Sequence, residues 1–570
     1  MSRKLGIVFV ALLLLVPMSM YATGTQEAGG EEETVEATGE PTYGGTFTYG
    51  AGVNDPPSPD IQDAQHAALE WAEVMQERPF HGAFEEFGPR GNGEYDFKLV
   101  AYIPNAYLTG HLVSDWEVTR EGMTWTIRDG VTWGAVDGVM DSRPFTAEDM
   151  AADVQRFMDS PWGNRFDGYL DSVYADGNRV IFEFDSYSPE TFYFVAYEDR
   201  AIVRPPETIE AGADQWENQG GTGAFMFEEY VVGSHMSYVA RDDYWDTTVI
   251  DGQTYELPFV DRQVRVIFPD QSTQQAALRT ASIDMYRNPP ASQFDTIERT
   301  TPELEVSKYG DMAQVIAFDT TEPPFDDREV RRAMFIGTNI ERFQQFGQAT
   351  MFPKHSFPAW PGNPGVYTPL EELPESTAEL YDYDPEKAKQ MLADAGYPDG
   401  FEMEFYYDSS DPIVQDLASL LQAEWAKIGV TVNLVGHDYV TYRNYRDTMT
   451  YEDSIQVGTQ IGNPTGSISN LFGTDGFVNY AQYSNSELDA LVEEINNTLD
   501  PEKQNELIKE AAIMALDDAS QIGLYLVPQA YYWWPWVKNY YGEITIEDGW
   551  LGGLVPYMWI DEAMKESMGF

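Results

Sequence analysis

The alternation of strands and helices over residues 315–435 restricts the fold of this chain more than any other feature. Extended apolar segments VIAF, MEFYY and VTVNLV alternate there with helical segments, two of which cover residues 385–395 and 413–428. The first helix begins within the run PPFDDREVRRAM, where the prolines end a strand and Asp326 or Asp327 can cap the helix. Strands that alternate with helices predict a largely parallel sheet covered on both faces. The chain is therefore predicted to be an α/β protein.

The first of these helices carries the Arg-Arg pair of the chain, Arg331 and Arg332. Many acidic residues lie nearby in the sequence, so the simplest interpretation is a solvated helix face whose arginines pair with acids. We expect these arginines to be architectural rather than to bind a ligand.

A β-rich block precedes this region. Residues 115–133 alternate apolar and polar side chains across an Arg-Glu-Gly turn, which predicts a hairpin. In PFTAEDMAADVQRFMD, Thr146 and Asp149 have the spacing of a capping box, so a helix is expected from about residue 147.

About 530 residues follow the N-terminal segments and are available for globular structure. One hydrophobic core does not support so many residues, so two or more domains are predicted.

The N-terminal residues indicate export. Arg3 and Lys4 precede an apolar run of signal-peptide length, so residues 1–24 are predicted to be a signal peptide and residues 25–42 a disordered acidic leader. The chain has no cysteine, hence no lipid-anchored cysteine, and a free periplasmic or extracellular location is expected. Its formal charge of −61 would repel phosphate backbones, which argues against nucleic-acid binding. The same acidity could reflect a saline habitat.

No catalytic signature is present in the sequence. The patterns G-x-S-x-G, H-E-x-x-H and G-x-x-x-x-G-K-[ST] are absent, and the six histidines are scattered without the spacing of metal ligands. We therefore predict no enzyme activity, no cofactor and no metal.

Seven segments, in order, resemble the family 5 extracellular solute-binding proteins of ABC importers, a group that captures oligopeptides, dipeptides and nickel chelates. The segments are YGGTFTYG, TWTIRDGVTW with PFTAEDMAADVQRFMD, GTGAFMFEEY with ARDDYW, QAALRTASIDM, PPFDDREVRRAM, YDPEKAKQMLADAGYPDGF and YSNSELDALVEEINNTLDPEKQNEL. Ala224 and Ala281 stand where that family usually has proline and glycine. The resemblance extends from about residue 43 to about residue 545.

The resemblance implies a two-lobed periplasmic-binding-protein fold with hinge crossovers. Lobe I would comprise residues 43–310 and 525–570, with an extra subdomain at about 56–200, and lobe II residues 311–524. The expected function is to enclose a small solute as the lobes hinge together and to deliver it to an ABC permease in the inner membrane. A monomer is expected.

Ligand-binding residues are predicted from two segments. Peptide-binding members of the family hold the ligand's α-ammonium with an aspartate of lobe II, and the corresponding stretch here, VGTQIGNPTGSISNLF, has Gln460 and Asn463 but no acid. The tail YYWWPW offers flat faces, so Trp534 or Trp536 is expected to line the cleft. The remaining predicted ligand-binding residues are Tyr407 and Asp408, at the end of the MEFYY strand.

These residues do not determine which solute the protein binds. A peptide-like solute is the first hypothesis, since peptides are the commonest ligands of the family. The neutral amides and the aromatic tail favour an oligosaccharide on the same scaffold as the alternative. A secreted polysaccharide hydrolase is a third and weaker hypothesis.

Overall fold

The helices and strands are described from a computed structural model, which covers residues 39–60, 68–547 and 551–570. The strands are β1 (Thr46–Gly52), β2 (Phe80–Gly82), β3 (Leu108–Gly110), β4 (Val113–Val118), β5 (Gly122–Ile127), β6 (Thr132–Trp133), β7 (Arg143–Pro144), β8 (Leu170–Asp176), β9 (Arg179–Phe184), β10 (Phe225–Val231), β11 (His235–Ala240), β12 (Thr247–Ile250), β13 (Gln253–Glu256), β14 (Arg262–Ile267), β15 (Met285–Arg287), β16 (Glu305–Phe318), β17 (Glu402–Asp408), β18 (Thr431–His437), β19 (Ser454–Gln460), β20 (Gln521–Trp533), β21 (Val537–Lys538) and β22 (Trp559–Ile560).

The α-helices follow in the same way along the chain. They are α1 (Leu69–Ala72), α2 (Phe84–Phe87), α3 (Ala147–Met158), α4 (Pro189–Ala196), α5 (Pro206–Gly212), α6 (Gln271–Arg279), α7 (Phe294–Thr300), α8 (Arg328–Ile336), α9 (Ile340–Phe346), α10 (Glu375–Ala378), α11 (Pro385–Asp394), α12 (Pro412–Trp425), α13 (Tyr439–Asp447), α14 (Pro464–Phe472), α15 (Ser486–Asn496), α16 (Pro501–Asp517) and α17 (Glu562–Ser567).

Two long antiparallel strands, β16 and β20, connect the two halves of the protein. Their pairing starts at Glu305 opposite Trp533 and ends at Ala317 opposite Gln521. The register shifts twice, between Gly310 and Ala313 and between Gln314 and Val315. We call lobe I the half that contains β1–β15 and the chain after β20, and lobe II the half that contains α8–α16 and β17–β19.

One ten-stranded sheet runs through both lobes in the order β10-β11-β14-β1-β15-β20-β16-β19-β17-β18. Parallel pairs lie on both sides of the crossovers: β1 with β14 and β15 in lobe I, and β17 with β18 and β19 in lobe II, where the sequence predicts a parallel sheet. The crossovers pair antiparallel, so the sheet is mixed. In lobe I, a separate antiparallel sheet β4-β5-β9-β8 packs with α3; we call this part the subdomain.

Local signals placed the helix starts correctly. Thr146 accepts a hydrogen bond from the Asp149 backbone amide, and the Asp149 side chain accepts one from Thr146, which confirms the capping box of α3. Asp327 caps α8 by accepting from the amide of Glu329. Both caps satisfy backbone donors that have no partner within the helix.

The interpretation of Arg331 and Arg332 as a solvated face is wrong, because both side chains are buried. Arg331 donates to the carbonyl oxygens of Phe325 and Asp518, at 2.8 and 3.0 Å. Arg332 donates to the carboxylates of Asp517 and Glu379, each at 2.8 Å. These bonds hold α8 against the ends of α10 and α16, in line with the architectural role expected for the pair.

Two predictions lie wholly or mostly outside the described residues. The signal peptide, residues 1–24, is one of them, and the leader at 25–42 is described only from residue 39. Thr42, within that leader, donates a hydrogen bond to the carbonyl oxygen of Ile560. Among the helices of the described residues, none combines the length and apolar character needed to cross a membrane.

Candidate functional site

The carboxyl ends of the parallel strands in the two lobes point into the space between the lobes. In lobe I, β1, β14 and β15 end at Gly52, Ile267 and Arg287. In lobe II, β17 and β19 run antiparallel to β16 and so end on the side toward lobe I, at Asp408 and Gln460. Open α/β sheets bind ligands outside the carboxyl ends of their strands. The cleft between the lobes is therefore the candidate binding site.

A cavity of about 480 Å³ occupies part of this cleft. Its walls come from three separate segments: 93–98 of lobe I, Lys308 and Tyr309 of crossover β16, and residues between Phe352 and Pro364 of lobe II. The volume lies in the range of about 300–1,000 Å³ that is typical of small-molecule sites. Both lobes and a crossover therefore contribute walls to this cavity.

Aromatic rings and a few polar groups line this cavity. Trp360 and Phe352 meet edge to face, with ring centroids 6.0 Å apart. The Tyr95 hydroxyl is buried and has no hydrogen-bond partner within the described chain. Burial raises the pKa of Tyr95 well above its ordinary value, so the hydroxyl keeps its proton and can donate. Lys98 lies 4.0 Å from Asp96 and is one-third exposed. Apolar walls with a few placed polar groups suit a small organic solute.

A second cavity of about 210 Å³ adjoins the first, since Pro364 lines both. Its walls include Tyr102 and Asn105 from lobe I and Asn363 and Gln504 from lobe II. Asn363 donates a hydrogen bond of 2.8 Å to the carbonyl oxygen of Gly462. The two cavities together lie along the cleft between the lobes.

Gln460, Tyr407 and Asp408 end two adjacent parallel strands of lobe II, on the side toward lobe I. Gln460 ends β19 and is exposed, whereas Tyr407 and Asp408 end β17 and are half-buried. Asp408 accepts a hydrogen bond from the amide of Ser410, 2.9 Å away. Adjacent parallel strands end side by side, which explains why residues so far apart in sequence share one edge.

Asn463 already has partners in both lobes. Its side-chain oxygen caps α14 by accepting from the Gly466 amide, and its side-chain nitrogen donates to Glu190 of α4 in lobe I, at 2.8 Å. Burial raises the pKa of Glu190 to about 7, although the bond from Asn463 acts in the opposite direction. In this structure Asn463 joins the lobes.

Trp534 and Trp536 do not line the cleft, and this prediction is corrected. Both are buried and stack on each other with centroids 4.6 Å apart. Trp534 donates to the carbonyl oxygen of Leu278 and Trp536 to the Asp284 carboxylate. Asp284 precedes β15, so the pair lies at the amino end of the lobe I strands, opposite the cleft. Large aromatic side chains gain most from complete burial, and the lobe I core supplies it.

The cavity residues Tyr95, Lys98, Tyr309 and Trp360 were missed by sequence reasoning. They come from three segments with no shared motif, and only the fold brings them together. Within residues 39–60, 68–547 and 551–570, no group of three or more His, Asp or Glu side chains is arranged to hold a metal ion.

The sequence matches a known family over most of its length. Residues 108–480 match the bacterial extracellular solute-binding proteins, family 5, in that family's middle region. Heme-binding protein A of Haemophilus influenzae is 29% identical over 456 residues, which cover 72% of this chain and 77% of the relative. Di/tripeptide-binding protein 1 of Pseudomonas aeruginosa is 26% identical over 438 residues, 70% of this chain and 77% of the relative.

Solved structures share the fold. HbpA2 from Haemophilus parasuis superposes with a TM-score of 0.72 at 20% identity, over 91% of this chain and 100% of that chain. DppA from Helicobacter pylori, in complex with the peptide STSA, superposes with a TM-score of 0.66 at 18% identity, over 91% of this chain and 99% of that chain. At these identities the likeness concerns the two-lobed fold alone.

Proposed function

The chain belongs to the family 5 bacterial extracellular solute-binding proteins, and from this premise we propose that it captures a peptide-like solute between its lobes and delivers it to an ABC permease in the inner membrane. The observation that carries the proposal is the 480 Å³ cavity with walls from both lobes. A solute held there contacts both halves, so its binding energy favours the closed state. A permease can then distinguish loaded from empty protein by shape.

The hinge lies in β16 and β20 where their register shifts, close to Gly310 and Pro528. Lobe I then comprises residues 43–310 and 525–570, and lobe II residues 311–524, as the sequence predicts. A break in the ladder leaves fewer hydrogen bonds to resist bending, and the protein acts as an exported monomer that bends there.

A peptide is favoured over an oligosaccharide by the position of the tryptophans. The aromatic pair that suggested stacking on sugar rings lies outside the cleft. The cavity instead combines aromatic walls with Lys98 and with acidic groups on segment 93–98, charges that suit a solute with ionic ends. Relatives named for di- and tripeptides support the same choice.

Calorimetry and small-angle scattering with a panel of di- and tripeptides test the proposal. Binding of at least one peptide should decrease the radius of gyration without forming dimers. An unchanged radius at saturation would contradict the hinge. Tight binding of a glycan with no response to peptides would replace the peptide with an oligosaccharide, and turnover of either ligand would indicate an enzyme.

A conservative variant tests the cavity. Tyr95→Phe removes only a buried hydroxyl and should weaken peptide binding by about 1 to 2 kcal/mol, because a ligand acceptor would lose its donor. Tyr174→Phe, on the exposed face of β8, is the matched control and should bind as the wild type does. Equal affinity of all three proteins would remove Tyr95 from the site.

A further inference from the structure

Helix α4 of lobe I touches lobe II through the carboxyl group of Glu190. Asn463, at the start of α14, donates a hydrogen bond of 2.8 Å to one oxygen of this carboxyl group. The other oxygen lies against the first turn of α14, where a Cβ atom on Gly466 would come within 3.0 Å of it. The carboxyl group is therefore packed directly between a helix of lobe I and a helix of lobe II.

Lobe II brings no positive charge to this contact. Helix α14, with the sequence PTGSISNLF, has no charged side chain, and Asn463 before it is a neutral amide. The backbone amide of Gly466 already donates to the side-chain oxygen of Asn463. An ionised carboxylate at this place therefore receives one neutral donor from lobe II and no compensating charge.

On the lobe I side, the charged groups that act on Glu190 are Arg165 and Glu198. These two form an ion pair of 2.9 Å with each other, and Arg200 lies 3.3 Å from Glu198. Tyr102 also faces Glu190 and stays neutral, because burial raises its pKa. Arg165 is thus engaged by a different carboxylate and compensates a charge on Glu190 only from a distance.

Separation of the lobes would take α14 and Asn463 away from Glu190 and open that side of the carboxyl group to water. A carboxyl group in water ionises readily, whereas burial without an ion partner disfavours the charged form. Burial raises the pKa of Glu190 from 4.5 to about 7, against the opposing effects of Asn463 and Arg165. Between these two values the group carries a proton when the lobes meet and loses it when they part.

We propose that lobe closure takes up one proton on Glu190, so that protons favour the closed form of the protein. The hydrogen bond from Asn463 is kept, since the carbonyl oxygen of a protonated carboxyl group still accepts. The group binds its proton more tightly in the closed form, so this contribution is full below pH 4.5 and is lost as pH rises through about 7. The inference uses the lobe movement of the proposed function and adds the proton as a second ligand of that movement.

Energy transfer between the lobes, measured without any solute, tests the proposal. The chain contains no cysteine, so Asp171→Cys in lobe I and Glu502→Cys in lobe II, both at exposed positions, can carry a pair of dyes. Single-molecule measurements at pH 8.0 and pH 5.5 give the ratio of closed to open molecules. With Glu190 intact, this ratio should rise at least about tenfold as the pH falls between these values.

Three variants of the labelled protein identify the proton site. Glu190→Gln keeps an acceptor for Asn463 without the titration, so its ratio should change less than about twofold over the same range. Arg120→Gln is the matched control for an interlobe contact: Arg120 donates to the carbonyl oxygen of Asn497 in lobe II, at 2.6 Å, and arginines stay charged at these pH values. It should lower the closed fraction at both pH values and keep the tenfold rise. Glu148→Gln, on the exposed side of α3, should match the parent protein.

The outcomes separate this inference from the proposed function. A ratio that does not change with pH, whether the lobes stay open or stay closed, would overturn the proposal. A rise that persists in Glu190→Gln would place the proton on another group. If di- or tripeptides close the lobes at a single pH but protons do not, peptide capture is retained without the proton link. If neither peptides nor protons change the energy transfer, the hinge and the proposed function fail together.

Discussion

Arg287 in lobe I and Arg332 in lobe II are both largely withdrawn from solvent, yet the protein holds them differently. Arg332 donates to Asp517 and Glu379 at 2.8 Å, and its side chain is 4% exposed. Arg287 lies 3.7 Å from Glu70 and lines a cavity. The comparison teaches that two arginines of similar burial can have different surroundings. Arg287 borders a cavity, whereas Arg332 joins the ends of α10 and α16.

The largest effect is expected at Arg332. Arg332→Gln removes charged hydrogen bonds to Asp517 and Glu379 and should reduce the free energy of unfolding by about 2 to 3 kcal/mol. The loss is limited because the two carboxylates are partly exposed and keep pairs with Arg328 and Lys387. Peptide affinity should not change. Chemical denaturation measures the loss, and Lys389→Gln, in an exposed pair with Glu386, should cost less than about 1 kcal/mol. Equal losses in the two variants would break the comparison.

Trp536 tests whether a buried, hydrogen-bonded side chain of lobe I stabilises the fold without taking part in ligand binding. Trp536→Phe removes the hydrogen bond to Asp284 and part of a packed ring, and should lower the free energy of unfolding by about 2 kcal/mol. A peptide-induced change in tryptophan fluorescence should remain, because Trp536 lies opposite the cleft. Loss of that change in a folded variant would return Trp536 to the binding site.

Glu73 is a buried carboxyl group of lobe I whose raised pKa makes the stability of the protein depend on pH. It lies 4.0 Å from Arg78 and 3.9 Å from Arg265, and burial raises its pKa to about 8 against the opposing effect of both arginines. The native state keeps a proton that the unfolded chain releases near pH 4.5, so the stability from this group is full below pH 4.5 and is lost as pH rises toward 8.

Replacing Glu73 isolates that pH dependence. Glu73→Gln keeps an oxygen for the Gly552 amide and removes the titration. The unfolding free energy of the variant relative to that of the wild type should increase steadily between pH 5 and pH 8.5, because only the wild type loses stability as pH rises toward the raised pKa of Glu73. Denaturation curves at several pH values measure the gain. Parallel pH profiles of the two proteins would show that Glu73 is ionised throughout.

Most of the secondary structure could be predicted from the sequence. The cap at Asp327, the capping box at Thr146 and the helix predicted at residues 385–395 were placed within a residue or two, because each depends on neighbours within one turn. The burial of Arg331 and Arg332 could not be predicted, since their partners Asp517 and Asp518 lie almost 190 residues away.

The residues of the candidate site also differ in whether the sequence alone indicates them. Gln460 was predicted from the resemblance of its segment to the family's ligand-binding segment, and Asp408 as a residue at the end of the MEFYY strand; their role in binding stays a prediction. Trp534 and Trp536 were misplaced, because an aromatic run fits a cleft and a core equally well until its packing partners are known. Tyr95 and Trp360 gave no signal, since the cavity that they line is formed by segments about 260 residues apart.

By itself, then, the sequence determined where helices and strands begin and end, the family and the two-lobed architecture, because these depend on short-range hydrogen bonding and on motifs that persist along the chain. Tertiary structure alone decided which charges are buried, which aromatics face the cleft and where Arg287 meets Glu70. Those properties depend on distances between segments that are remote in sequence, and on whether packing leaves a space beside a side chain or fills it.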